Sequence, residues 1–216
     1  YDPTVVDAFV RIYRDVAIQE ATPVLPADTL DAISKAFHEA PVSADLRLGA
    51  TYDNEVAMAF FDFGAALAAA GTADEVGRAV WDCVRRMVPA SSCVLYLSDA
   101  AGDSLKAAFA AGENAAALSR VRMPIGRKLT GWVAANRSTM VNADALLDVG
   151  DLADSLDPPL HSCLSSPLVA GDRTLGAVTL YSTHTATFGH LHGQLVETVA
   201  ARAGHALGRI ASSAAR

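Results

Sequence analysis

The chain has 216 residues, 51% hydrophobic and 19% charged, a composition that can bury a sizeable core and that excludes an extended disordered chain. Its formal net charge of −7 argues against a general nucleic-acid or anionic-membrane surface, because phosphate binding needs accumulated Lys and Arg. The longest uncharged apolar stretch, residues 63–73, is far short of the ~20 residues that cross a bilayer, and no basic-then-apolar leader opens the chain, so a soluble cytoplasmic protein is expected.

From the first residue, Asp2-Pro3-Thr4 reads as a helix start, since Asp accepts from free backbone N–H groups and Pro at the first helical position loses no needed donor. Val5, Val6, Phe9, Val10, Ile12 and Tyr13 then recur at helical spacing, which predicts a helix over residues 1–20. Pro23, Pro26 and Pro41 mark residues 21–52 as a linker with one short helix inside it. Beyond it, Val56, Ala59, Phe60, Phe63 and Leu67 share a helical stripe that Gly71 ends. Thr72 followed by Glu75 matches a capping box, so a second helix begins at once. Its inward positions are Val76, Val80, Val84 and Met87, its wet side carries the pairs Asp74/Arg78 and Asp82/Arg86, and Pro89 stops it.

After Pro89 the period becomes strand-like. Residues 92–98 and 104–111 are predicted to form a hairpin around Ala101-Gly102-Asp103. A short strand over 120–125, a short helix over 131–136 and an extended piece over 138–142 follow. Residues 144–159 are acidic and irregular, with a length that suits a cover more than a tight connection. Residues 162–169 and 174–182 form a second hairpin around Gly171-Asp172-Arg173, and Leu195, Val199, Ala203, Ala206, Leu207 and Ile210 line one side of a closing helix. Two helices, five or six mostly antiparallel strands and a last helix make an α/β (α+β) sandwich.

The run Ile125-Gly126-Arg127-Lys128-Leu129-Thr130-Gly131-Trp132-Val133 resembles the glycine segment of the GAF family, and three further segments keep family-like order: Ser165-Ser166-Pro167-Leu168, residues 175–180, and Phe188 before the last helix. The resemblance covers roughly residues 53–210 and assigns residues 53–213 to a GAF domain. It implies a six-stranded antiparallel sheet with long helices on one face and a roofed ligand pocket on the other. Tyr1 to Phe9 is similar to the last helix of HD-type phosphohydrolase domains of the HD-GYP kind, which implies a longer parent protein in which a GAF signal regulates cyclic dinucleotide hydrolysis. No His-Asp dipeptide occurs, so the metal site of such a hydrolase lies outside this chain.

An apolar cavity with a few placed polar groups is what such a pocket requires. The candidate ligand-binding residues are Tyr96 and Phe109 from the first hairpin, Trp132 behind the glycine segment, His161, Cys163 and Ser165 from the fifth strand, and Thr179 and Tyr181 from the sixth. Strand alternation puts Cys163 with Ser165, and Thr179 with Tyr181, on one face each. For each candidate a purely structural role is the competing reading, most strongly for Trp132, because family tryptophans there often serve the core. Arg120, Arg122, Arg127 and Lys128 concentrate positive charge and read as a solvated loop ahead of an anion site. Asp144, Asp148, Asp151, Asp154 and Asp157 lack calcium-loop spacing and read as a hydrated acidic face.

No metal site, disulfide framework or catalytic residue is expected. Cys83, Cys93 and Cys163 are odd in number and widely spaced, and a buried inert thiol is the favoured reading of Cys163. His190 and His192, two apart on a helix, point in different directions. The cyclic-GMP-type signature and the Cys-His pair of bilin-binding relatives are absent, and no Ser-His-Asp order, Walker loop or H-E-x-x-H motif occurs. The expectation is a sensory, non-enzymatic module that binds an unidentified small molecule and acts as a homodimer through its long helices, with no nucleic-acid or membrane partner. A ligandless dimerisation scaffold is the alternative, and a free methionine sulfoxide reductase, which shares the fold but needs paired thiols in the loops, stands last.

Overall fold

Thr72 opens the second long helix as the sequence requires. In the computed structural model, which describes residues 44–214, its hydroxyl accepts from Glu75 N at 3.2 Å, and Glu75 Oε2 accepts from Thr72 N at 3.1 Å and Gly71 N at 2.7 Å. These backbone donors, Gly71 first, hold the Glu75 carboxyl below its usual range. Helix α1 spans Ala44–Ala69 and α2 spans Ala73–Val84. The first helix thus starts inside the stretch read as linker, because no proline follows Pro41 to stop it. The helix predicted over residues 1–20, and the short one in the linker, lie outside the described residues.

Asp74 pairs with Arg78 at 3.0 Å as expected. Asp82, however, pairs with Arg85 at 3.0 Å, and Arg86 turns across to Asp62 on α1 at 2.8 Å. An i,i+3 partner suffices for Asp82, and Arg86 ties two helices together instead of decorating one.

The strands are β1 (Ser92–Ser98), β2 (Ser104–Gly112), β3 (Arg122–Pro124), β4 (Met140–Asp144), β5 (Ser162–Ala170) and β6 (Arg173–Ser182). They form one antiparallel sheet in the order β3-β2-β1-β6-β5-β4. Asp99 sets the first hairpin turn by accepting from Gly102 N at 2.9 Å and from the Ser104 hydroxyl at 2.5 Å. Short helices α3 (Ala115–Leu118), α4 (Lys128–Asn136) and α5 (Leu146–Val149), the last continued by a 3-10 turn over Gly150–Ser155, interrupt the connections. The closing helix α6 spans His190–Ala214.

Strand alternation sorts the buried side chains into two cores. Cys93, Leu95, Phe109, Leu164, Leu168, Val178 and Leu180 face α1, α2 and α6, where Phe63, Val76, Val80, Val196, Val199 and Ala203 meet them. α6 crosses β5 at Gly204, whose missing side chain leaves room for the Val169 backbone. On the other face, Val94, Tyr96, Leu105, Cys163, Ala177 and Tyr181 pack under Leu118, Leu129, Val133, Ala145, Val149 and Leu160 from the connections. No helix among the described residues is long and apolar enough to cross a membrane.

Candidate ligand-binding site

The residues singled out from the sequence divide cleanly. Tyr96, Cys163, Ser165, Thr179 and Tyr181 are all fully buried and lie on the face away from the long helices. Thr179 sits between Val178 and Leu180, which face the helices, so alternation along β6 fixes its direction. The structure takes the other three elsewhere. Phe109 points to the long helices, against Gly77 of α2. Trp132 is 40% exposed on α4 and lies outside the buried core of this face. His161 gives its backbone to Ser182 and Ala145, and its side chain is exposed. For Phe109 the reason lies in β2, whose register against β1 shifts between Leu95 and Tyr96 and so moves the parity of one strand relative to the other.

The glycine segment builds the edge of this face. Gly126 takes a φ of 79° and its N–H donates to Gly131 O at 2.8 Å, folding the loop back on the first turn of α4. Gly131 in turn lies so close to Pro124 O that no side chain fits. Lys128 follows in a left-handed conformation at φ 56°. The helix cap at Arg127 supplies no side-chain acceptor, so the N–H of Thr130, one of the orphan donors of a helix start, needs one from elsewhere.

That acceptor is Asp148. Thr130 N donates to Asp148 Oδ1 at 2.8 Å, the Thr130 hydroxyl to Oδ2 at 2.5 Å, and the Tyr181 phenol to Oδ2 at 3.2 Å. The directions of the remaining protons follow. With its own proton committed to Asp148, Thr130 Oγ1 accepts from Thr179 Oγ1 at 2.7 Å, and Thr179 accepts from Ser165 Oγ at 2.9 Å. By the same reasoning Tyr181 accepts from Tyr96 OH at 3.3 Å. Two hydroxyl chains therefore run from the sheet to one carboxylate that is 1% exposed. Among the described residues, no buried side-chain nitrogen or oxygen lacks a partner.

Asp148 is the exception to the hydrated acidic face; Asp144, Asp151, Asp154 and Asp157 are exposed. A signal for it existed, since Ala145, Asp148, Val149 and Leu152 share one helical stripe, apolar but for the aspartate. Lys128 is likewise not free: its Nζ donates to the Asp148 carbonyl at 3.0 Å and to Asp151 Oδ2 at 2.6 Å, and the ammonium holds the Asp151 carboxyl below its usual range. Arg120, Arg122 and Arg127 are exposed, as a solvated loop requires.

Burial raises the acid groups of this interior. It pushes the thiols up to about 11 at Cys83 and about 12 at Cys93, and raises Cys163 further, with the Asp148 and Asp144 charges adding to the effect. The phenols of Tyr96 and Tyr181 rise for the same leading reason. Among the described residues no group of His, Cys, Asp and Glu has the arrangement of a metal site.

Comparison with known proteins fits this geometry. A family model described as GAF domain matches residues 70–208. Comparison with the curated proteins gives no match. Among solved structures, the GAF domain of a phosphoenolpyruvate-protein phosphotransferase from Coxiella burnetii superposes with a TM-score of 0.62 at 18% identity, over 75% of this chain and 98% of that one. A free methionine-R-sulfoxide reductase from Neisseria meningitidis, in complex with its substrate, gives 0.57 at 18% identity over 76% and 92% of the two chains. The second GAF domain of DevS from Mycobacterium smegmatis gives 0.54 at 19% identity over 65% and 96%. At such identities the likeness is one of fold.

Proposed function

The chain belongs to the GAF domain family, and from that premise we propose that it is a sensory and regulatory module that binds a small molecule on the sheet face opposite the long helices and signals through those helices. The observation that carries this reading is the buried polar cluster of Thr130, Asp148, Ser165, Thr179 and Tyr181 at the centre of that face. A face required only for stability fills with apolar side chains, whereas convergent polar groups in an apolar surround are what orients a ligand. Thr179 alternates along β6 with Val178 and Leu180, so a shift at the polar cluster is felt one residue away by the packing of α2 and α6. A ligand biases that packing only to the extent that it prefers one arrangement.

No reaction is assigned to the module. Its thiols are buried on α2, β1 and β5, with protonation favoured by burial, which disfavours the thiolate that a reductase needs. Dimerisation through the long helices is part of the proposal, because Met58 and Phe61, one turn apart on α1, are 48% and 73% exposed. Light scattering tests it: Phe61→Glu should lower the mass of the native particle, and a native chain that is monomeric at high micromolar concentration removes this part. The resemblance of residues 1–9 to an HD-type domain supports a cyclic dinucleotide phosphodiesterase as the parent, testable by expressing the parent gene and assaying that hydrolysis.

The complete hydrogen bonding of the cluster favours a second reading, a ligandless scaffold whose pocket is filled by its own side chains. A thermal shift screen of metabolites on the native chain separates the two. A ligand that binds only the folded state raises the melting temperature, by an amount that grows with its concentration. Silence across carboxylates, nucleotides, amino acids and aromatic compounds would establish the scaffold instead.

A further inference from the structure

The inward face of α5 is apolar at Ala145 and Val149 but carries one carboxylate. Leu146 and Leu147 point outward at 51% and 55% exposure, while Asp148 between them and Val149 is buried. Burying a leucine stabilises, whereas burying a carboxylate costs free energy until its lone pairs are partnered. A segment that served only to cover the sheet would place an apolar side chain at this position too, as it does at Ala145 and Val149. Among the described residues, moreover, no Lys, Arg or His forms an ion pair with Asp148; the nearby Lys128 is engaged by Asp151.

What receives the carboxylate is a set of donors that reads both oxygens of a planar group. Thr130 presents its N–H to Oδ1 and its hydroxyl to Oδ2, and Tyr181 adds its phenol to Oδ2. These donors stand on α4 and the central strand β6. The carboxylate comes instead from the connection between β4 and β5, on a four-residue helix followed by a 3-10 turn with no buried residue of its own. The receiver thus stands on the sheet and on the helix behind the glycine segment, and the occupant on the neighbouring connection.

We propose that this donor set is the head-group subsite for a small carboxylic acid, and that Asp148 is its internal stand-in, displaced together with residues 146–155 when the acid binds. The inference rests on reading this face as a ligand site. The body of the acid is aliphatic or aromatic, because the walls beside the donors are Val94, Tyr96, Cys163 and Ala177. Rotation of α5 on displacement brings Leu146 and Leu147 inward over the guest, so the segment exchanges exposed apolar surface for buried. An apolar cleft of about 220 Å³ lined by Lys128, Leu129, Trp132, Met140 and Leu147 lies beside the segment, which gives the exposed Trp132 a place in the movement.

Amide hydrogen exchange on the unaltered chain tests this directly. Butyrate or benzoate, added at constant ionic strength, should speed exchange over residues 146–155 in a saturable manner, while butyramide and benzamide leave it unchanged. In Asp148→Ala the competing carboxylate is gone, and the same acids should bind about tenfold tighter by calorimetry, as when the population of a binding-competent state rises. Unchanged exchange in the native chain with both acids, or equal effects from acids and amides, overturns the proposal without any variant having to fold. If both acids are silent while a ligand of another class raises the native melting temperature, the carboxylate is refuted and the ligand-site reading stands.

Discussion

At the scale of single residues, Thr130 holds the interior polar cluster together, because its hydroxyl alone both donates to Asp148 and accepts from Thr179. Thr130→Val keeps the shape and removes both bonds, leaving part of a buried carboxylate unsatisfied; the expected loss is about 1–3 kcal/mol in a urea titration. Phe109→Ala opens a void against Gly77 and α2 and should cost about 3–5 kcal/mol, with ligand response unaffected because the ring faces the helices. Trp132→Ala, by contrast, removes a side chain 40% exposed and should change stability by less than about 1 kcal/mol. A loss as large as that of Phe109→Ala would refute its surface placement. The parity of β5 and β6 was legible in the sequence, which is why Cys163, Ser165, Thr179 and Tyr181 were found together. Asp148 was not, since counting aspartates in an acidic loop hides the one that falls on an apolar stripe. His161 precedes β5, where no alternation fixes a side chain's direction, and the structure leaves it exposed.

At the scale of elements, local chemistry decides where helices begin. The capping box at Thr72 was readable because both of its bonds lie within four residues. Thr72→Ala should lower stability by about 1 kcal/mol through the orphaned N–H of Glu75, and a midpoint unchanged within error would show that water substitutes for it. The start of α1 at Ala44 was harder to read, since residues 44–55 carry no sustained apolar stripe and only the absence of proline marks them. The order of the strands is not legible in the sequence: alternation assigns faces but does not say that β1 and β6 adjoin. The closeness of α6 to β5 at Gly204 belongs to the same class, because a glycine in a helical pattern reads as a weak spot until the neighbouring backbone is known. Gly204→Val should therefore destabilise well beyond its helix propensity, by the overpacking cost of about 1–3 kcal/mol, and a change of a few tenths would show that the helix moves away freely.

At the scale of the whole molecule, the two cores share one electrostatic property: the acids they bury at Cys83, Cys93, Cys163, Tyr96 and Tyr181 are all held in the protonated form by loss of water. Each folded pKa lies above its unfolded value, so the unfolded chain releases its protons first as pH rises. Stability from these groups is complete below the unfolded thiol value of 9.0 and is lost progressively toward about 11 for Cys83 and about 12 for Cys93. Urea midpoints should accordingly be level from pH 7 to about 8.5 and fall steeply above it, with Cys93→Ala flattening part of the decline. Thiol labelling gives the independent reading. At pH 8 a colorimetric disulfide reagent should find none of the three thiols in the native protein and all three after unfolding, with a labelling rate that tracks the opening equilibrium. Cys163 separates global from local opening, because it lies on the polar face and its Sγ approaches the Asp144 carbonyl just before α5. Displacement of residues 146–155 by a bound acid should expose Cys163 while Cys83 and Cys93, walled by the long helices, stay silent. Equal labelling of all three under those conditions would mean that the acid loosens the whole fold and does not open one face of it.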